Sequence, residues 1–476
     1  MRKKAITYTL VFSIFLGGCT VGTNYTEPNI ELPARYVDGG AKELSDASRL
    51  IWWQSFGDPV LNELVMRGLD QNIDIQTAVQ RIETARAAVG LTGVAAQVNG
   101  GVSLESRRIE RTDGSTVTAS NSTADANFVF DLFGEFTRAR QGAIANLEAV
   151  QFDSGSVRLA VIAEIIDAYN AARFFQESAA ITRASIRSRR QVLDLVQRRA
   201  TAEDATALEI AQTKALLATA EANLPILLGR YEESIFRIAT LVVQPGSDIL
   251  ARMNAGRAQL RPRGNLEVGV PADVLRNRPD VRRAEREFAR ATASAGVAEA
   301  QLLPSLSLDG TVTVGDLDSW SFGPTLFLPL FNRAVLSANR DVALSRAEEA
   351  ELLWRSVVLN AVEDVQSAQA LVRRSAQQVA AFRRAVSASN DVLDLSQRSY
   401  DVGAATLLDI IDAEERVFDN RLALASAIRT WTSSYVQLQV GAGKGWLVGA
   451  KKVYIVKREN DENTFGFMNS EMASRR

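Results

Sequence analysis

The sequence predicts a mainly helical fold with a minor share of β-strand: a sheet of membrane-crossing strands continued by very long paired helices. Three observations carry this expectation. From Arg333 to Val402 there is neither glycine nor proline, a run of 70 residues that as one helix would reach about 105 Å, far more than a globular core can use. Four stretches of about ten residues alternate polar with apolar side chains, the period of a strand with one wet and one greasy face. The third observation is that the whole layout occurs twice.

The duplication is read at a spacing of about 200 residues. "VLDLVQR" at 192–198 returns as "VLDLSQR" at 392–398, and the match runs without a gap through Ala205-Thr206 and Ala405-Thr406 to Leu208-Glu209 and Leu408-Asp409. Upstream, "FDLFGE" at 130–135 is answered by "LPLFNR" at 328–333. The boundaries that follow are 61–262 for the first repeat and 263–446 for the second, each holding a helix, two strands and a long helical hairpin.

Taken in order, residues 1–18 have the layout of a secretory signal. Arg2-Lys3-Lys4 opens it, an apolar run from Ala5 to Leu16 follows, and two glycines precede the single cysteine of the chain, Cys19. A lone cysteine closes no internal disulfide, and Leu16-Gly17-Gly18-Cys19 resembles a bacterial lipobox, whose cysteine is lipidated and becomes the first mature residue; an ordinary signal with an incidental cysteine is the plainer alternative. Thr20 in place of aspartate favours, by resemblance to sorted lipoproteins, the outer membrane. Residues 19–60 then form a lipidated extension.

The first helix is expected over about 60–96 and its counterpart over about 271–302, where Pro279 and Asp280 suit a helix start. The alternating stretches follow. In 98–108, Val98, Val102 and Leu104 lie between Asn99, Ser103, Glu105 and Arg107; in 123–132, Ala124, Ala126, Phe128, Phe130 and Leu132 lie between Thr123, Asp125, Asn127 and Asp131. In the second repeat Leu306, Leu308, Val312 and Val314 alternate with Ser305, Ser307, Asp309, Thr311 and Thr313, and Trp320, Phe322, Leu326, Leu328 and Leu330 alternate less strictly with Ser321, Gly323 and Thr325. Ten residues is the length of a tilted strand crossing an outer membrane, although hairpins packed on helices would show the same period. Long helices from about Gly134 to Thr201 and from Arg333 to Val402 reverse into partners near 203–243 and 405–440, the former expected to bend at Pro225. The 447–476 tail, with its charged "KRENDEN", reads as disordered and takes no role.

Four strands cannot close a barrel, and open sheet edges do not occur in lipid. A homotrimer would supply 12 strands and 12 helical segments, an outer-membrane β-barrel continued by a periplasmic α-helical barrel. Composition narrows the function classes. With no histidine and one cysteine in 476 residues, no catalytic triad or metal cluster is expected, so the chain reads as a non-enzyme without a cofactor other than a covalent lipid on Cys19. Its net charge of −2 gives no reason to expect a nucleic-acid partner.

Five stretches carry a family resemblance: "WWQSFGDPVLNELV" at 52–65, "FDLFGEFTRAR" at 130–140, "GVPADVLRNRPDVRRAE" at 269–285, "FGPTLFLPLFNR" at 322–333 and "YDVGAATLLDIIDAEERV" at 400–417. The chain resembles an outer-membrane factor of the TolC/OprM type, in the lipoprotein efflux branch called the NodT family. The resemblance implies a trimeric exit duct that spans the outer membrane, crosses the periplasm and docks on a periplasmic adaptor coupled to an inner-membrane pump of the RND type. By motif position, Asp409 and Asp412 take the places of aperture carboxylates, Glu209 that of the first repeat's aperture acid. Gly403, Ala404 and Ala405, with Asp204 and Ala205, occupy the tips that meet the adaptor. Ala405 stands where an aperture-locking arginine is usual, so that latch does not carry over; Arg198, Arg199 and Arg398 are the available substitutes. A type I secretion outlet and an inert coiled-coil envelope lipoprotein remain as alternatives. A periplasmic adaptor fits less well, since it carries one helical hairpin and this chain carries two.

Overall fold

The computed structural model describes residues 20–39, 42–44, 46–203, 205–256, 258–263, 266–315 and 318–450. The predicted signal and Cys19, the tip residue Asp204 and the tail from 451 onward lie outside the described residues. Two runs of elements follow the same order. The first is α1 (Pro59–Gln71), α2 (Ile73–Gly90), β1 (Val98–Glu110), β2 (Thr116–Phe130), α3 (Glu135–Thr201) and α4 (Ala207–Leu241). The second is α5 (Pro279–Ala300), β3 (Ser305–Gly315), β4 (Ser319–Phe327), α6 (Arg333–Asp401) and α7 (Leu407–Gly441).

The long rods are real single helices: α6 has 69 residues and α3 has 67, each folded back on a 35-residue partner. Helix α4 runs on through Pro225. The first expected helix, by contrast, is two. Asn72 leaves the helical region with ψ 134°, because its side chain accepts from the Asp74 and Ile75 amides while donating to the Leu241 carbonyl at 3.1 Å. A buried amide used as a cap forces the break that apolar spacing does not show. Its counterpart is likewise split, with a short helix Asp273–Asn277 before Pro279.

The strands form one antiparallel sheet in the order β1-β2-β3-β4, so the central pair, β2 with β3, joins the two repeats. Its register sets Phe128 against Leu308 and Asn127 against Asp309. Side chains alternate faces, and the apolar set of all four strands therefore falls on one side and the polar set on the other. The polar side is cross-linked: Asn127 donates to Asp309, Ser307 donates to Asp309 at 2.8 Å, and the Thr123 and Thr313 hydroxyls meet at 3.2 Å. Strand β2 starts at Thr116, seven residues before the expected 123. In the extension, Thr116–Ser122, the apolar residues Val117 and Ala119 lie on the opposite face from Ala124, Ala126 and Phe128, with Val117 set against Ile109 of β1, so the segment is held by pairing with β1 and not by the greasy side of the rest of the strand. Strand β4 stops at Phe327, short of Leu328 and Leu330. Among the described residues neither β1 nor β4 has a strand on its outer edge, and no helix is long and apolar enough to cross a membrane.

The main core lies halfway along the rods. It gathers Trp53 from the amino-terminal segment, Leu61 and Leu64 of α1, Ile162, Ile165 and Tyr169 of α3, Ile235 and Ile238 of α4, Val358 and Ala361 of α6 and Tyr435 of α7. Buried polar groups fix its geometry. Asp58 caps α1 through the Val60 amide at 2.9 Å and accepts from the Tyr169 hydroxyl at 2.5 Å, while Arg173 donates to that hydroxyl at 2.9 Å. Residues 447–450, assigned to the tail from sequence, are docked on this body: Leu447 is buried and donates its amide to the Ser48 carbonyl at 2.8 Å, and Arg158 donates to the Val448 carbonyl.

Candidate aperture at the hairpin tips

Each helical hairpin turns within five residues at the end remote from the sheet, and the returning helix starts with a capping box. Thr206 accepts from the Glu209 amide at 3.2 Å while Glu209 accepts from the Thr206 amide at 2.7 Å. Thr406 and Asp409 do the same at 3.4 and 2.8 Å, and the Thr406 hydroxyl adds a third bond to Asp409 at 2.7 Å. These reciprocal bonds explain why threonine precedes an acid by three residues in both repeats. They also hold the Asp409 carboxyl below the usual carboxylate range, first through the Thr406 backbone and then through its side chain. The turns themselves differ. Gly403 supplies a left-handed φ of 74°, whereas the first repeat places Glu203 at φ 67°, a conformation that is strained for a residue with a side chain.

The two tips are fastened to each other by a small core. Val196 from α3 packs with Tyr400, Leu407 and Ile410 of the second hairpin, and Ala205 and Ala405 fill in beside them. Small residues at 205 and 405 therefore have a packing role where a longer side chain would stand between the tips. The Arg199 guanidinium lies over the Tyr400 ring, 4.8 Å from its centroid. Of the three candidate substitute cations, Arg199 alone reaches across. Arg198 pairs with Asp194 at 2.9 Å and Arg398 with Asp394 at 2.7 Å, both one turn away on their own exposed helices. Farther up, Ser188 of α3 donates to Glu414 of α7. Burial raises the Glu414 carboxyl above its ordinary value, against the opposing effects of the Ser188 hydrogen bond and nearby Arg189.

Of the residues singled out from sequence, Asp409 and Asp412 are exposed three residues apart on α7, on one helix face, and Glu209 is half-buried on α4. Gly403 and Ala404 are exposed at the second tip, and Ala205 and Ala405 are half-buried. Asp412 makes no hydrogen bond or ion pair among the described residues. Two contacts escaped sequence reasoning, the Tyr400 ring as a cation acceptor and Glu414. The second had a signal: Leu407, Ile410, Glu414 and Val417 follow helical spacing, so Glu414 is a charge on an otherwise apolar stripe. No group of three or more acids or thiols that could hold a metal occurs among the described residues.

The family model described as outer membrane efflux protein matches residues 64–242 and 270–444. The chain is 35% identical over 457 residues to nodulation protein T of Rhizobium leguminosarum bv. trifolii, covering 93% of this chain and 98% of that one. It is 27% identical to the pyoverdine export outer membrane protein OpmQ of Pseudomonas aeruginosa, covering 91% of this chain and 95% of the other. Among solved structures, the outer-membrane channel OprN is 28% identical with a TM-score of 0.80, over 90% of this chain and all of that one. The open state of the Neisseria gonorrhoeae MtrE outer membrane channel is 24% identical with a TM-score of 0.79, over 90% of this chain and 99% of the other.

Proposed function

Because the chain belongs to the outer membrane efflux protein family, whose fold of β-barrel and α-barrel protomer it has, we propose that three copies form the exit duct of a tripartite efflux system. The observation that carries this reading is the sheet: one apolar face, one hydrogen-bonded polar face, and two edges without a partner. In lipid such edges must be paired, and pairing β1 of one copy with β4 of the next closes 12 strands around a wet lumen. The apolar face of β3 from Leu306 to Val314 runs about 27 Å along the strand, which at the usual tilt rises about 20 Å, near the roughly 25 Å band of outer-membrane barrels.

Below the barrel, the hairpins continue the duct through the periplasm to the tips, where Gly403, Ala404, Ala405, Asp204 and Ala205 meet a periplasmic adaptor linked to an RND-type inner-membrane pump. Asp409 and Asp412 from three copies line the narrowest passage, with Glu209 beside them, and Arg199 on Tyr400 takes over the closing role of the absent arginine. Cys19 bears the lipid and holds the mature chain at the outer membrane. The pump chooses the cargo; small molecules are the expected class. Purified trimers should give small, cation-selective currents in a planar bilayer. A chain that stays monomeric and carries no current would defeat the proposal.

A further inference from the structure

The residues that immediately follow Cys19 are seated in a built socket. The Val21 amide donates to the Phe133 carbonyl at 3.1 Å. Arg138 of α3, 3% exposed, donates to the Val21 carbonyl at 3.1 Å, to the Gly22 carbonyl at 3.0 Å, to the Asn24 side chain at 2.8 Å and to Gln141 at 3.0 Å. Thr20 lies against Gly134, where a Cβ would come within 2.6 Å of its methyl group, and Gly134 itself has φ 81°. From there Tyr25 donates to Glu285 of α5 at 2.7 Å with the Arg286 guanidinium 5.2 Å from its ring centroid. A guanidinium spending three of its hydrogen bonds on one short segment is organised around that segment.

The duplication supplies an internal control. Aligning "FDLFGEFTR" at 130–138 with "LPLFNRAVL" at 328–336 puts Asn332 opposite Gly134 and Leu336 opposite Arg138. The second repeat passes from sheet to rod without either residue but by a different backbone path, with φ −102° at Asn332 against 81° at Gly134, and there no amino-terminal segment arrives: Phe331 is fully exposed, whereas its counterpart Phe133 is partly covered. Arg138 is therefore not needed to pass from sheet to rod, whereas Gly134 supplies both a left-handed φ and the space against Thr20.

We propose that Gly134 and Arg138 form a socket for the mature amino terminus, and that Arg138 is the positioning residue that holds the lipid on Cys19 at the inner rim of its own protomer's sheet. This rests on the reading of Cys19 as lipidated. Cys19 is bonded directly to the seated Thr20, and Gly134 follows the end of β2 by four residues. Unseated, the roughly 16 residues before the buried Tyr36 would act as a flexible tether with a reach of about 22 Å.

The test uses the full chain in membranes, labelled with palmitate, and the variants R138L, which installs the residue the second repeat carries at the aligned position, and G134N, in which asparagine tolerates the left-handed φ of position 134 while adding a Cβ against Thr20. Trypsin cleavage after Arg35, followed by mass spectrometry of the amino-terminal fragment, reads the seating of the segment independently of the label; conductance reads trimer integrity. Both variants should incorporate palmitate and conduct, yet be cut after Arg35 about tenfold faster than the wild type, as expected for losing part of a local hydrogen-bonded unit. Palmitate incorporation with unchanged cleavage in both variants would overturn the socket. A wild-type chain that takes up no palmitate would overturn the lipid reading, and the positioning role with it, whatever the cleavage shows.

Discussion

The contact between Arg199 and Tyr400 should set how tightly the tips close, and a double-mutant cycle can measure it. Tyr400→Leu keeps an apolar group of similar reach in the tip core but removes the ring face; Arg199→Met keeps the stem and removes the charge. Tyr400 is 9% exposed and the guanidinium sits 4.8 Å from the ring centroid. A cation over a tyrosine contributes about 0.5–1 kcal/mol at exposed sites and about 2 when desolvated, so a value near 1 kcal/mol is expected for this partly wet contact. If open and closed tips exchange in two states, 1 kcal/mol per protomer shifts the ratio about fivefold, and three protomers acting together shift it by about a hundredfold. Single-channel recording of the four proteins gives open probability directly. Each single variant should open the channel, and the double variant should open it little further, giving a coupling of about 1 kcal/mol per protomer. Strictly additive effects, or an unchanged open probability in Arg199→Met, would refute the latch.

Three further outcomes follow from the same structure. Carboxylates of Asp409 and Asp412 from three copies should let micromolar trivalent cation block the wild-type channel; Asp409 is a cap as well as a charge, so D409N/D412N, which keeps an acceptor for the Thr406 amide, should abolish that block without loosening the tip, and full retention of the block would place the constriction elsewhere. Glu414 favours its protonated form when the tips are docked, so docking should be strongest below the ordinary glutamic acid range and weaken as pH rises through the raised value; Asp409, held low, does not titrate in that window. Wild-type conductance should accordingly step upward with pH while E414Q stays flat, and a step that survives in E414Q would assign it to another group. Leu308→Arg puts a charge on the apolar face, where the cost is about 2–4 kcal/mol near the membrane midplane, whereas Ser321→Arg on the polar face should assemble; equal loss of trimer on gels from both would invert the face assignment.

What could be read from sequence was whatever repeats or alternates. The rods, the hairpin turns and the two faces of the sheet follow from period and duplication, because a 3.6-residue or two-residue pattern is a property of neighbours in the chain. Asn72 shows where that stops: its side chain breaks the first helix by bonding to Leu241, a partner far away in sequence. The first half of β2 escaped because Val117 and Ala119 put its apolar residues in the opposite phase to Ala124, Ala126 and Phe128, so no single alternation runs the length of the strand and the pairing with β1 defines it. At the tips the acids were visible in a motif, but their use as caps depends on the turn geometry, and the stacking of Arg199 on Tyr400 joins two hairpins that the sequence treats as copies.

The pairing of β2 with β3 also dictates an order of assembly. The hairpins α3–α4 and α6–α7 are local and can form within microseconds to milliseconds, but the middle of the sheet waits for residues 182 positions apart, Asn127 and Asp309, to meet. A chain halted within the second repeat before β3 owns only β1 and β2, a two-stranded ribbon that is at best marginally stable in water. The strands that perforate a membrane thereby become competent only after the whole first repeat has been made, and a copy that stops before β3 has no means of making a hole.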